Sequence, residues 1–239
     1  MILTLPEKIQ KVLNLPQIQY IHDSLPKNTA KKPWPKRPES SITEIVVHHS
    51  GDTGKIVNEA NFHINKRGWY TISYHVSIDR GNILQLNDLL SITSQAKGAN
   101  GNSIGVCINW NLTLRPPTEF EYNALMGVII ALKELFPNAK VSGHNEIGKR
   151  YGYGTACPVI SMDKLRSDIM TAEQELERAE SPKKKEEIAY RMANQVVYLQ
   201  NMSRGKKSDG TPATDEQKAW ALAQLLKLQP EFERLGFLK

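Results

Sequence analysis

The residues with most chemistry to offer in this 239-residue chain are a histidine pair at 48 and 49, a histidine at 144 and a cysteine at 157. Two imidazoles and a thiolate suffice for a catalytic zinc, which takes three protein donors and keeps a fourth position open for water. His48, His144 and Cys157 make such a set, each at a strand tip or in a loop where chain ends converge. No local pattern of the His-Glu-x-x-His kind is present, so the residues alone leave the metal reading open.

The histidine pair ends a β-branched run, Ile45-Val46-Val47-His48-His49-Ser50, and the chain turns away through Gly51 and Asp52. Neighbouring side chains of a strand point to opposite faces, so only one of the two can enter a site. The other orients it or lies against the sheet. Alternation does not say which is which.

The elements that must position these groups follow from apolar patterning. Ile42 to Val47 reads as a central strand, because its apolar run hardly alternates. Val57 to Lys66 reads as a helix with Ala60, Ile64 and Phe62 inward. Thr71 to Ile78 and Ile83 to Leu86 form a hairpin around Asp79-Arg80-Gly81-Asn82. Ser103 to Asn109 is a buried strand. Thr118 and Glu121 form a capping box for a helix to Leu135. Lys140 to Ser142 is a short strand ending at Gly143-His144, residues 145–156 are a loop, and Ser161 caps a further helix. Strands alternating with helices, hairpin included, predict an α/β fold, a mixed central β-sheet flanked by helices. After Ile169 the chain becomes charge-laced and helical. Ser181-Pro182 marks a fresh helix start, Ile188, Met192, Val196 and Leu199 form an apolar stripe, and Thr214 with Gln217 caps a last helix. The expected organisation is a basic extension and Pro-rich linker over 1–41, a catalytic domain over 42–170 and a helical C-terminal region over 171–239.

The totals narrow the classes. No apolar run approaches the roughly 18 residues needed to cross a membrane. The first residues lack a basic start followed by an apolar stretch, so synthesis in the cytoplasm without a signal peptide is expected. Cys107 and Cys157 are then read as a buried thiol and a ligand, not as a disulfide. The net charge is +6, and residues 1–40 hold seven Lys/Arg against three Asp/Glu. Such a segment suits an anionic polymer, whether cell-wall glycan with acidic peptides, lipopolysaccharide or nucleic acid, or serves as a solvated linker.

Five ordered blocks carry a resemblance: Val46-Val47-His48-His49-Ser50; Ser73-Tyr74-His75-Val76; Ala96-Lys97-Gly98-Ala99-Asn100 with Asn102-Ser103-Ile104-Gly105-Val106-Cys107; Gly143-His144; and Thr155-Ala156-Cys157-Pro158. Residues 42–170 resemble the zinc-dependent N-acetylmuramoyl-L-alanine amidases, the family of phage amidase-type lysozymes and peptidoglycan recognition proteins. The resemblance implies that His48, His144 and Cys157 ligate zinc, with His49 facing the other way. It implies that Tyr74 is a catalytic tyrosine that stabilises the oxyanion, and that Thr155 holds a catalytic position that is lysine in some phage members. The implied partner is bacterial peptidoglycan, not nucleic acid or a membrane. The implied reaction is hydrolysis of the amide between N-acetylmuramic acid and L-alanine by zinc-activated water, as in an endolysin that reaches the wall after release.

Where Thr155 replaces lysine, cationic help is either missing or comes from Lys149 or Arg150. Gln95 stands where several relatives place a histidine, which puts one polar contact of the groove in question. His22 and His63 have no supporting pattern and are expected at the surface. The alternative function is a non-catalytic peptidoglycan-binding or partner-inhibiting protein of the same fold. A pure binder needs no zinc triad, and the retained residues argue against it.

Overall fold

The computed structural model describes residues 1–234, with side chains described outside 178–193 and 226–234. The chain divides into two compact units, Met1–Leu176 and Glu177–Lys239.

The first unit is built on a mixed sheet. Its strands are β1 (Gln19–Tyr20), β2 (Glu44–His49), β3 (Val76–Asp79), β4 (Asn82–Gln85), β5 (Ser103–Ile108) and β6 (Lys140–Gly143), in the order β1-β4-β3-β5-β2-β6. β3 and β4 are the antiparallel pair, and the other neighbours run parallel. β2 therefore lies between β5 and β6, with His48 opposite Cys107 and Val47 opposite Gly143. The carboxyl ends of β2, β5 and β6 open at one edge, the place where parallel sheets present their chemistry.

Burial on both faces explains the apolar run of β2. Ile45 and Val47 pack with Ile104, Val106 and Ile108 in the main core. Above that face lies α3 (Glu119–Leu135), with ten residues buried. Its expected capping box is present, the Glu121 N–H donating to Thr118 Oγ1 at 3.2 Å and the Thr118 N–H to Glu121 Oε2 at 2.8 Å. On the other face Val46 packs with Ala96, Ala99 and Ile147. Cys107 packs there with Tyr74, Ile72, Ala60 and Ile56.

Several expectations are corrected. α2 (Ile56–Arg67) buries Ile56, Glu59, Ala60 and His63, while Phe62 is exposed. A polar pair takes the inward stripe because its groups are satisfied: His63 Nε2 meets Glu59 Oε1 at 3.2 Å, and His63 Nδ1 accepts the Ser73 N–H at 3.1 Å. β3 begins at Val76, so Tyr74 and His75 precede it. Residues 145–151, expected as loop, belong to a helix, α4 (His144–Tyr151), which His144, expected at the strand end, opens. In α5 (Met162–Ser203) the helix runs through Ser181-Pro182 without a break, since a proline removes one bond of the ladder and not the rest.

The expected extension and linker over 1–41 is a packed part of the first unit. Leu3, Leu5, Ile9 and Leu15 join the main core. α1 (Glu7–Leu13) lies on α3 at Gly127, where a Cβ would sit 2.6 Å from a Leu15 methyl and 3.2 Å from one of Ile9. The Pro-rich stretch is a strap: the Arg37 N–H donates to Leu90 O at 2.9 Å and the Ile92 N–H to Pro35 O at 2.7 Å. Several basic groups of residues 1–41 are engaged. Arg37 is buried and donates to Asn100 O and Leu89 O, Lys36 pairs with Asp88, Lys8 with Glu134, and Lys27 binds the carbonyls of His22 and Asp23. Four of the seven cations of residues 1–40 are thus engaged by the fold, while Lys31 and Lys32 lie exposed.

In the second unit, α6 (Asp215–Arg234) opens with the expected Thr214–Gln217 reciprocal cap, at 3.0 and 3.3 Å. Leu199, Met202, Ala213 and Ala221 form its small core. Of the expected stripe, Val196 is half-buried and Leu199 buried, while Ile188 and Met192 lie outside the described side chains.

Ile9 is fully buried. Ile9→Ala should therefore lower the unfolding free energy by about 2–5 kcal/mol, read from urea unfolding. A free linker would give an unchanged midpoint.

Candidate active site and metal centre

His48 stands near the end of β2, His144 is the first residue of α4, and Cys157 lies in the loop beyond α4. Their ligating atoms all lie within 4.8 Å of one another. Cys157 Sγ is 3.7 Å from His48 Nδ1, and the His48 and His144 ring centroids are 4.6 Å apart. In a zinc tetrahedron, bonds of about 2.1 Å to nitrogen and 2.3 Å to sulfur put the two donors about 3.6 Å apart. The donor types and this edge both fit zinc. His49 points to the opposite face, where its Nδ1 accepts the Leu112 N–H at 3.1 Å. Strand alternation thus separates the pair as expected.

Backbone contacts hold the three donors together. The Asn145 N–H donates to Cys157 O at 2.6 Å, and the His49 N–H reaches Cys157 Sγ at 3.4 Å. Glu146 accepts the Gly143 N–H at 2.9 Å and binds both guanidinium nitrogens of Arg166 at 3.0 and 3.1 Å. This carboxylate at the helix start complements the α4 dipole. A glutamate three residues after Gly143, with Gly152 closing the last turn, was the signal for α4 in the sequence.

Burial sets the protonation of the site. It lowers the pKa of His48 well below the ordinary value, and His144 adds to that shift; burial lowers His144 as well. Both rings are kept neutral, the form that offers a lone pair. Burial pushes the Cys157 thiol up to about 12, opposed by the His49 N–H. Tyr74 is nearly buried, with its ring centroid 5.2 Å from that of His48. Burial raises its phenol well above the usual range, and Cys107 and Glu59 push the same way, so the hydroxyl stays a neutral donor.

Two further histidines support Tyr74, and the sequence reading missed the role of both. His75 is buried, donates from Nε2 to Ser91 O at 2.9 Å and accepts the Gly105 N–H on Nδ1 at 3.0 Å. His63, expected at the surface, is buried under the site with its ring 5.6 Å from Tyr74. His22 is half-buried, its Nδ1 2.8 Å from Leu86 O. Cys107 is a fully buried free thiol, as expected.

Thr155 Oγ1 accepts the Cys157 N–H at 3.2 Å, which ties it to the Cys157 loop. Arg150 is not free to assist. It binds Glu44 at 2.7 Å, and that buried carboxylate also accepts from Ser142 at 2.6 Å. Lys149 is exposed on α4. Gln95 does not line a groove: it is buried behind His48, 2.5 Å from the ring.

The sequence profile of the N-acetylmuramoyl-L-alanine amidases matches residues 38–159. That range contains His48, Tyr74, His144 and Cys157, and the chain belongs to this family. An endolysin of Enterobacteria phage K11 is 28% identical over 144 residues, covering 56% of this chain and 91% of the relative. An endolysin of Escherichia phage T7 is 25% identical over 117 residues, 46% of this chain and 74% of the relative. Among solved structures, the Ph2119 endolysin from a Thermus scotoductus bacteriophage shares the fold with a TM-score of 0.52 at 23% identity, covering 63% of this chain and 97% of that one. The amidase LysC from Clostridium intestinale gives 0.53 at 20%, over 64% and 97%.

Both Glu44 and His75 are ionisable groups held inside the fold. Arg150→Ala leaves the Glu44 carboxylate short of a partner and should cost about 1–3 kcal/mol of stability in urea unfolding. An unchanged midpoint would remove Arg150 from the fold. The second group responds to acid. Burial, with Arg37 alongside, holds the folded His75 pKa at about 3. The unfolded chain protonates the same ring near 6.5, so unfolding takes up a proton below that pH. Stability present above pH 6.5 should therefore fall as the pH drops toward 3, by about 1.4 kcal/mol per unit for this ring. A pH-independent unfolding free energy between 7 and 4 would contradict the burial.

Proposed function

We propose that this amidase is a zinc-dependent endolysin that cleaves the bond between N-acetylmuramic acid and L-alanine, with His48, His144 and Cys157 as metal ligands and Tyr74 as the donor to the reacting carbonyl oxygen. One observation carries the reading: two neutral imidazoles and a thiol converge within 4.8 Å in a chain of this family. The phage relatives, named endolysins, support the biological setting.

Zinc held by these residues would supply an acidified water and a Lewis acid for the carbonyl. The chain's own groups do the rest. His48 and His144 stay neutral and offer lone pairs. The His49 N–H and the Thr155 hydroxyl hold the Cys157 loop, so Thr155 acts through the ligand first. The Tyr74 hydroxyl keeps its proton at working pH and donates it as a hydrogen bond to the oxygen that gains charge. His75 and His63 hold the segment that carries Tyr74. No observation favours the binder of the same fold. Among the described residues no helix is long and apolar enough to cross a membrane.

Purified protein on purified peptidoglycan should release new alanine amino termini and no new reducing sugar ends. Complete chelation should abolish the release, and added zinc should restore it. Cys157→Ser should abolish it too. Tyr74→Phe should lose about a hundredfold or more in kcat while still binding wall fragments. Undiminished cleavage without metal, or by the Cys157→Ser protein, would overturn the assignment.

A further inference from the structure

Gln95 lies between β4 and β5 and is 6% exposed. Its Oε1 is 2.5 Å from His48 Nε2, and its Nε2 is 2.6 Å from Ser103 Oγ. Ser103 Oγ is in turn 2.6 Å from the backbone carbonyl of Ala99. The direction of every proton in this chain follows from its far end. A carbonyl only accepts, so the Ser103 hydroxyl spends its single proton on Ala99 O. It must then accept from Gln95, which turns the amide NH2 toward Ser103 and the amide oxygen toward His48. That oxygen only accepts, so His48 carries its proton on Nε2 and its lone pair on Nδ1. Nδ1 is the atom that faces Cys157 Sγ.

The reversed amide has a defined penalty. Its oxygen would take the Ser103 proton and leave the buried Ala99 carbonyl with only the longer bond from the Asn102 N–H, at 3.2 Å. Its NH2 would also demand the lone pair at His48 Nε2, forcing the proton onto Nδ1 and closing the donor toward Cys157. The sheet makes room for the favoured arrangement at Gly105. A Cβ there would lie 2.9 Å from Gln95 Cγ and 3.0 Å from both Cδ and Oε1.

We propose that Gln95 is a positioning residue: it relays the polarity of the Ala99 carbonyl through Ser103 to His48 and holds that ring in the tautomer that offers Nδ1 to the metal. Its consequence for the metal rests on the zinc reading above, while the tautomer does not depend on it.

The test uses the full chain with nitrogen-15 histidine, metal-free, and long-range proton–nitrogen spectra of the His48 ring. Wild type should show the Nε2–H form. Gln95→Leu should show a tautomer mixture and bind zinc about 10–100-fold more weakly in chelator competition. Gly105→Ala, which pushes on an intact Gln95, should move the spectrum the same way. Gln95→Glu keeps the acceptor that faces His48 Nε2 and should keep the proton on that atom, although it gives up the amide donor to Ser103. A wild-type ring protonated on Nδ1 overturns the proposal, as does a Gln95→Leu protein with the native tautomer and native zinc affinity. If Gln95→Leu does not fold, the wild-type spectrum and Gln95→Glu decide. An Nε2–H ring in a protein that binds no zinc would sink the metal reading and leave the positioning role standing.

Discussion

The alternation of β2, sealed on both faces and paired in parallel on both sides, is the constraint from which the site is built. Its register with β5 and β6 commits Ile45 and Val47 to one core and Val46 and His48 to the other side. A slip by one residue would put isoleucine and valine in the site and a histidine in the apolar core. Only one histidine of the pair can enter, but the excluded one still contributes. Its ring accepts a backbone N–H on the far face, and its own N–H reaches the Cys157 sulfur.

Burial then requires that each ring nitrogen have a partner. His75 gives one nitrogen to a carbonyl and the other to an amide N–H. His63 meets the Ser73 N–H and the Glu59 carboxylate. His48 gives Nε2 to Gln95 and turns Nδ1 toward a thiol that burial itself holds neutral. A thiol and an imidazole lone pair satisfy each other poorly, whereas a divalent cation satisfies both. The same burial that makes His75 a structural ring therefore makes His48 a donor. The difference lies in what faces the second nitrogen.

The sequence carried the parts of this that depend on near neighbours. Strand alternation, the Thr118–Glu121 and Thr214–Gln217 caps and the buried strand at Cys107 were legible because each is decided within a few residues. His48, His144 and Cys157 were legible as donor types, and the ordered blocks around them made a set of them. What was not legible was decided by distant partners. Arg150 reads as a candidate catalytic cation until Glu44, more than a hundred positions earlier, is seen beside it. His63 reads as a surface residue until Ser73 and Glu59 close around it. Residues 1–41 read as a tail because short apolar stretches and prolines give no periodicity, while their partners lie on α3 and at 90–92.

Turning residues 145–151 from loop to helix matters most for the chemistry. A ligand on a loop would have to be ordered by the metal, at an entropic penalty on binding. His144 instead opens a helix whose first turn is held by Glu146 and Arg166, and Asn145 of that turn grips the carbonyl of Cys157. Two of the three donors thus share one rigid support, and the third is fixed by the sheet. Burial of that turn lowers the His144 pKa, so the ring it supports stays neutral. The three side chains are therefore gathered by protein contacts alone, and an ion bound there would have little ordering left to do.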